Sequence, residues 1–407
     1  MTQSNGISDD ELFDTGDIYA NRELVTVGYV PDENRIVGRQ EEMRKVGQAL
    51  GPGVEGGPPK NLIIYGKTGA GKSLVAKHVA QRAERRARDN GIHFVTCYVD
   101  CSNEDTETRV ARKMAFSIRD ELDPSMEIPM NGIGAAEYYR YLWSLLDDQD
   151  VFVVILDEVD KLQEDDVLMQ LSRAQESGKT DAHVGVLSVS NKIEYRDRLN
   201  KRIDSSLQDR EHVFDPYDAD ELRSILTNRR DAFKDGVLED GVIELTAALS
   251  AQEHGDARKA IDILQEAGEL AVQENATTIT ETHVRAAKER AEINRFKELI
   301  NGTTTHVKYA LRALALLTRD TRTDETTDAE DWFRTNEVYA FYRDIVEHEG
   351  HKPLKKDSVY RILTEQSFLG ITESRHTGGG KGQGSYLEHT LLTDPEIVLE
   401  AVADIQD

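Results

Sequence analysis

The chain has 407 residues, 38% hydrophobic and 31% charged, with 50 Lys and Arg against 76 Asp and Glu and a formal net charge of −26. That length exceeds what one core supports and implies two or three domains, while no apolar run reaches the roughly 18 residues of a membrane-spanning helix, and no membrane partner is expected. An acidic surface is repelled by polyanions: either the partner is not one, or the acidity is a general adaptation to a saline cytoplasm, and 31 Arg against 19 Lys fits the second reading.

Residues 1–20 hold Asp9, Asp10, Glu11, Asp14 and Asp17 with no Lys or Arg. They are expected to be a disordered acidic tail, and they lack the basic and then apolar start of a signal peptide, which places the protein in the cytoplasm. Asn34–Leu50 leads into a helix with Met43, Val46 and Leu50 on one face, and Gly51–Pro59 reads as a Gly/Pro-rich connector.

The chain is organised around Asn61–Ser73, NLIIYGKTGAGKS. Leu62, Ile63, Ile64 and Tyr65 read as a buried strand, and Leu74–Arg88 as a helix with apolar residues at 74, 75, 79 and 80. Between them Gly66, Lys67, Thr68, Gly69, Ala70, Gly71, Lys72 and Ser73 match G-x-x-x-x-G-K-[ST] in full. Glycines 66, 69 and 71 let the backbone aim N–H groups at phosphate oxygens without Cβ clashes. The new helix adds the positive end of its dipole. Lys72 supplies a mobile cation for the outer phosphates, and Ser73 a hydroxyl ligand for Mg²⁺. A strand, loop and helix together set aside a glycine-rich turn that binds nothing; this is a nucleotide triphosphate site.

His93–Val99 is a second strand, and Asp105–Leu122 and Glu137–Leu146 are helices. Cys97 and Cys101 have no second pair and no nearby His, so free thiols are expected rather than zinc. Val151–Leu156 is wholly apolar, as a parallel strand covered on both faces requires. It ends in Asp157-Glu158, where Asp157 is placed to hold the Mg²⁺ that Ser73 also binds and Glu158 to polarise the attacking water. His183–Ser190 is the next strand and ends at Asn191. Two readings of Asn191 stand: a side chain that reaches the γ-phosphate or its water, or a turn-forming Asn. A short strand at His212–Phe214 completes a parallel α/β pattern.

From Asp215-Pro216 the pattern is helical only: Ala219–Phe233 behind an Asp218/Glu221 capping box, Glu239–Glu253, Asp256–Glu274, and a helix from Thr280 to about Phe296. Arg258, near a helix start, either closes over the nucleotide or is an ordinary solvated arginine. Asn301-Gly302-Thr303 reads as a linker. Val307–Leu317, the periodic set Val338, Phe341, Tyr342, Ile345 and Val346, and Ser358–Gln366 are three helices, and His348 and His351 sit in a solvated turn. Ile371–Arg375, a Gly-rich tip His376–Gly384, and Tyr386–Leu392 form a hairpin, which makes the segment a winged helix-turn-helix. Between Lys352 and Lys381 six basic residues (352, 355, 356, 361, 375, 381) face three acids (357, 365, 373), a local +3. Lys355, Lys356, Arg361, Arg375 and Lys381 are therefore candidate DNA contacts, the alternative being a plain protein-docking domain.

These parts resemble the archaeal initiator family related to the origin recognition complex and the cell-division-control loader proteins, AAA+ ATPases with a C-terminal winged helix. The resemblance runs from about Arg35 to Leu392 and is carried by GKTGAGKS, LDEVDKL, QLSRA at 170–174, VGVLSVSN, FDPYDADEL and EHGDARKAIDILQEAGELA. It implies a parallel-sheet AAA+ base over 21–215, a helical lid over 216–298 and a winged-helix domain over 303–407. It makes Lys72 and Ser73 the Walker A residues, Asp157 and Glu158 Walker B, Asn191 sensor 1 and Arg258 sensor 2. Arg202, before Ile203-Asp204-Ser205-Ser206-Leu207, matches the arginine that these proteins present to a neighbour's nucleotide. The helix at 105–122 falls at the initiator-specific element, so Arg109, Arg112 and Lys113 join the DNA candidates. The wing departs in detail, with Lys381 as the only Lys or Arg of its tip. The implied function is an initiator that binds duplex origin DNA, with ATP as a conformational switch and slow hydrolysis, and that helps recruit the replicative helicase, with other initiator copies as further partners. A clamp-loader ATPase and an ATP-gated transcription regulator are the alternatives; the hairpin after Phe368 argues against the first, and fold alone does not separate the second.

Overall fold

The computed structural model describes residues 18–26, 28–29, 31–164, 166–195, 210–253, 255–323, 331–368, 370–377 and 386–403. Two compact units divide the chain, Met1–Val284 and Arg285–Asp407. In the first, β1 (Leu62–Gly66), β2 (Phe94–Asp100), β3 (Val151–Asp157), β4 (His183–Ser190) and β5 (Arg210–Phe214) form a sheet in the order β2-β3-β4-β1-β5. Every pairing in it is parallel. Helices α1 (Gln40–Val54) and α2 (Lys72–Asp89) cover one face, and α3 (Glu107–Leu122), α4 (Ala135–Leu145) and α5 (Asp166–Ser172) the other. Strand β3 shows why its run had to be wholly apolar. Phe152, Val154 and Leu156 enter the core under α3 and α4, whereas Val151, Val153 and Ile155 enter the core under α1 and α2. All seven of its residues are buried, each large aliphatic contributing about 1.5–3 kcal/mol.

Some expected boundaries move. Helix α1 continues through Gly51 and Pro52 to Val54, where a connector was expected. Packing fits this: a Cβ on Gly53 would lie 3.0 Å from Phe94 and 3.2 Å from Val151, so the last turn sits close on the sheet, where a larger residue would crowd those side chains. The expected acidic tail, of which 1–17 lie outside the described residues, does not extend to residue 20. Ile18 is buried, Ala20 N donates to Ala232 O at 2.8 Å and Lys234 N to Ile18 O at 2.9 Å, and the Tyr19 ring packs 5.2 Å from Phe233.

The same unit continues into α6 (Ala219–Thr227), α7 (Val242–Gln252), α8 (Ala257–Gln273) and the start of α9 (Glu281–Ile300). The Asp218 carboxylate accepts from Glu221 N at 2.8 Å while Glu221 accepts from Asp218 N at 3.0 Å, the capping box that the sequence carries. Helix α6 stops short of the expected Phe233, and Arg230–Ala232 form a 3-10 turn instead.

In the second unit α10 (Thr305–Thr323), α11 (Thr335–His348) and α12 (Lys356–Phe368) precede the antiparallel pair β7 (Thr372–Thr377) and β8 (Tyr386–Leu391). A two-residue strand β6 (Phe333–Arg334) adds to β8, and α13 (Pro395–Ala401) closes the chain behind an Asp394 cap. Its core joins Phe296, Leu311, Leu314, Val338, Tyr342, Leu363 and Val398. Within it His389 is fully buried, with Nε2 2.9 Å from Thr335 Oγ1 and Nδ1 2.9 Å from Ser374 Oγ. Burial pulls that imidazole down to about 4.

Candidate nucleotide-binding site

Sheet order assembles the site. Strand β4 lies between β1, which leads into the glycine-rich loop, and β3, which ends in the acidic pair. Asn191, one residue past β4, therefore falls between them, at the carboxyl edge where open parallel sheets bind ligands. Lys72 Nζ donates to Asn191 Oδ1 at 2.9 Å, and Asn191 Nδ2 donates to Glu158 Oε1 at 3.1 Å. Of the two readings of Asn191, the geometry is that of a side chain linking the loop lysine to the acid. Lys72 also donates to Gly66 O at 2.8 Å and Lys67 O at 2.7 Å, so loop carbonyls hold the amine at the loop's centre. Burial pulls this amine down to about 8 against the opposing pull of Asp157.

Glu158 stands at φ 52°, a left-handed conformation for a non-glycine residue. Such a conformation costs on the order of 1–3 kcal/mol and persists where surrounding structure imposes it, commonly at functional sites. Here it turns the chain sharply after β3, so that Asp157 and Glu158 face the loop together. Asp157 Oδ1 accepts from Glu158 N at 3.0 Å and Oδ2 from the Tyr98 hydroxyl at 2.8 Å. Each carboxylate oxygen keeps a second lone pair. With the Ser73 hydroxyl on the same cavity, Asp157 offers the hard oxygen donors that Mg²⁺ takes.

The cavity measures about 250 Å³. Its lining combines Thr68, Gly69, Gly71, Lys72, Ser73, Asp157, Glu158 and Asn191 with the apolar or aromatic Tyr29, Pro31, Ile36, Val37, Ile225 and Ile261. Gly69 and Gly71 have φ of +74° and +84°. A Cβ on Gly69 would collide with the Asp256 carboxylate, and one on Gly71 would stand 2.6 Å from the Tyr217 hydroxyl. The loop thus packs directly against the start of the helical segment. Asp256 caps α8 by accepting from Arg258 N at 2.8 Å and Lys259 N at 3.3 Å, and Ala257 N donates to Gly69 O at 3.3 Å. This docking delivers Arg258 to the cavity wall.

Several residues of the site carry no sequence motif. Arg39 is 2% exposed, donates to Ala70 O at 2.9 Å and Asp215 O at 2.7 Å, and lies 3.6 Å over the Tyr217 ring. It clasps the loop, the end of the sheet and the start of the lid at once. Lys77 Nζ lies 3.3 Å from the centre of the Tyr98 ring, beside Asp157. Gly28, Tyr29, Pro31, Arg35, Ile36 and Val37 also line the cavity, and no motif in that stretch marks them.

The DNA candidates are dispersed over both units and differ in state. Arg109 pairs with Asp105 at 2.8 Å and Arg112 with Glu104 at 4.0 Å. Arg375 pairs with Glu388 at 3.1 Å and lies 4.1 Å over the Trp332 ring. Lys113, Lys355, Lys356 and Arg361 are exposed. Arg202 and Lys381 lie outside the described residues. Both cysteines are buried and free, and burial pushes the Cys97 thiol up to about 12. No helix among the described residues is long and apolar enough to cross a membrane.

Comparison with known proteins assigns the architecture. An AAA domain matches residues 57–199, a Cdc6 AAA+ ATPase-type lid domain 223–289, and a CDC6 C-terminal winged helix domain 298–401. The ORC1-type DNA replication protein 9 of Haloarcula marismortui is 46% identical over 398 residues, covering 96% of this chain and 94% of that one. The ORC1-type DNA replication protein 4 of Halobacterium salinarum is 46% identical over 398 residues, covering 97% and 95%. Relatives from these halophilic archaea fit the acidic composition. The structure of the Aeropyrum pernix ORC1 protein in complex with DNA superposes with a TM-score of 0.68 at 31% identity, covering 95% of this chain and 97% of that one. On sequence, architecture and site alike, the chain belongs to the archaeal ORC1-type family of DNA replication proteins, AAA+ ATPases with a Cdc6 lid and a C-terminal winged helix.

Proposed function

We propose that this protein is an ATP-dependent replication initiator that binds duplex origin DNA and helps recruit the replicative helicase, with ATP as a conformational switch and hydrolysis slow. The observation that carries the ATP half is the bridge Lys72–Asn191–Glu158. One side chain touches both the cation for the outer phosphates and the base, so the occupant of the γ-phosphate position is sensed by the group that positions the water. Mg²⁺, held by Ser73 and Asp157, would neutralise charge on the β- and γ-phosphate oxygens. Glu158 takes the water's proton, Lys72 and Arg258 hold the γ-phosphate, and the buried site excludes competing water. Arg202 acts in trans, presented to the nucleotide of another copy.

The DNA half is supported by the Aeropyrum relative solved with DNA and by the exposed Lys355, Lys356 and Arg361 on and beside α12. Arg375 and Lys381 of the hairpin, with Arg109, Arg112 and Lys113 of α3, extend the contact. Charge screening reconciles these few cations with the acidic whole: at molar salt the Debye length is about 3 Å, so distant acids do not oppose a local contact. Glu158→Gln tests the chemistry: it should bind ATP as the wild type does and lose hydrolysis, because the base acts on water and not on the ground-state phosphates. Wild-type turnover in that variant would remove the assignment.

A further inference from the structure

Asp160 is a buried carboxylate that the chemistry above does not use. Its side chain is 1% exposed and stands on the 3-10 turn Val159–Lys161 that follows Glu158. An ionised carboxylate is costly to bury unless partners engage its oxygens, so its partners are informative. Three consecutive residues at the end of β4 converge on it. Ser190 Oγ donates to Oδ1 at 3.0 Å, Asn191 N donates to the same oxygen at 3.2 Å, and Lys192 Nζ lies 3.8 Å from Oδ2. Lys192 N in turn donates to Ser190 Oγ at 3.0 Å, which ties the turn's backbone to the same anchor.

The side chain of Asn191 leaves from that anchored peptide to meet Lys72 and Glu158. Two rotatable bonds separate its amide from the backbone. The direction of the amide is therefore set by where the peptide is held, and among the described contacts a carboxylate from the turn after β3 holds it. Glu158 and Asp160 belong to one short segment, so a single rigid turn fixes both the base and the origin of the side chain that reports to it. We infer that Asp160 is a positioning residue for ATP hydrolysis, acting through Asn191. The inference rests on the ATPase reading of this site. A carboxylate that merely stabilised the turn would lower the melting temperature and leave turnover of the folded protein untouched.

The test is the near-isosteric Asp160→Asn in the full chain, with kcat from phosphate release and Kd from a fluorescent ATP analogue. Turnover should fall about 10- to 100-fold, the scale of a small misplacement at a reacting centre. ATP affinity should stay within about 2-fold, and in an Asn191→Ala background the same substitution should change kcat by less than about 2-fold, because coupled residues are not additive. Should Asp160→Asn fail to fold, Ser190→Ala removes one donor of the same anchor and should lower kcat by about 2- to 10-fold. Wild-type turnover in the folded variant, or an undiminished effect without Asn191, overturns the inference while the ATPase reading stands. A wild-type chain that binds ATP and hydrolyses none overturns both.

Discussion

The nucleotide site and the basic surface of the winged unit handle charge in opposite ways. At the site Lys72, Asp157 and Asp160 are 5%, 7% and 5% exposed, and each is fixed by bonds of 2.7–3.2 Å. On the winged unit Lys355, Lys356 and Arg361 are exposed and form no ion pair among the described residues. Charges of the first kind act singly, through geometry, and are little screened by salt; those of the second act as a sum and are screened readily. One unit should therefore fail by the loss of one atom group, the other by the loss of several charges.

Lys72→Ala should break this contrast most severely. Removing the buried cation takes several charge-assisted contacts with it, and ATP affinity by calorimetry should fall on the order of 100-fold or more; a smaller loss would mean that the loop backbone alone binds the phosphates. Arg258→Ala should cost ATP binding roughly 1.5–3 kcal/mol and ADP binding less, if, as proposed, the arginine on the cavity wall holds the γ-phosphate. Equal losses for the two nucleotides would make it a structural residue. Replacing Lys355, Lys356 and Arg361 together by alanine should weaken duplex binding for any sequence and flatten the salt dependence by about 0.9 per lost phosphate contact, measured by anisotropy across a salt series. An unchanged slope would remove these residues from the DNA interface.

The smallest effect lies inside the winged unit, where His389 is a buried ionisable group. Its folded value of about 4 lies below the ordinary 6.5, with burial alone as the cause. Above pH 6.5 both folded and unfolded chains keep it neutral and stability is full. As pH falls from 6.5 toward 4 the unfolded chain takes up a proton that the folded one refuses, and stability drops by about 1.4 kcal/mol per pH unit. Melting curves at pH 7 and 5 should show a larger loss for the wild type than for His389→Gln; equal losses would contradict the assignment.

What the sequence disclosed follows the same division. The loop, the acidic pair after β3 and the capping box at Asp218 are local patterns, and each could be read because the chemistry needs neighbouring residues in order. Arg39 could not, since its partners Ala70 and Asp215 lie 31 and 176 residues away. Asp160 sits inside a quoted motif, yet its role appears only when β4 is known to lie beside β3. The end of α1 lies beyond the expected boundary because Gly and Pro weigh against a helix locally, whereas Gly53 packs close against Phe94 and Val151. Strand β6 has two residues, too few for any periodicity. The basic cluster between 352 and 381 was legible as composition, but composition did not reveal that Glu388 already engages Arg375.

Action at origins can be read by mapping the DNA bound in cells by the full chain and by the Lys355/Lys356/Arg361→Ala variant. Occupancy should concentrate where replication starts and be lost in the variant. Occupancy at promoters, or origin occupancy that survives loss of the three cations, would contradict it.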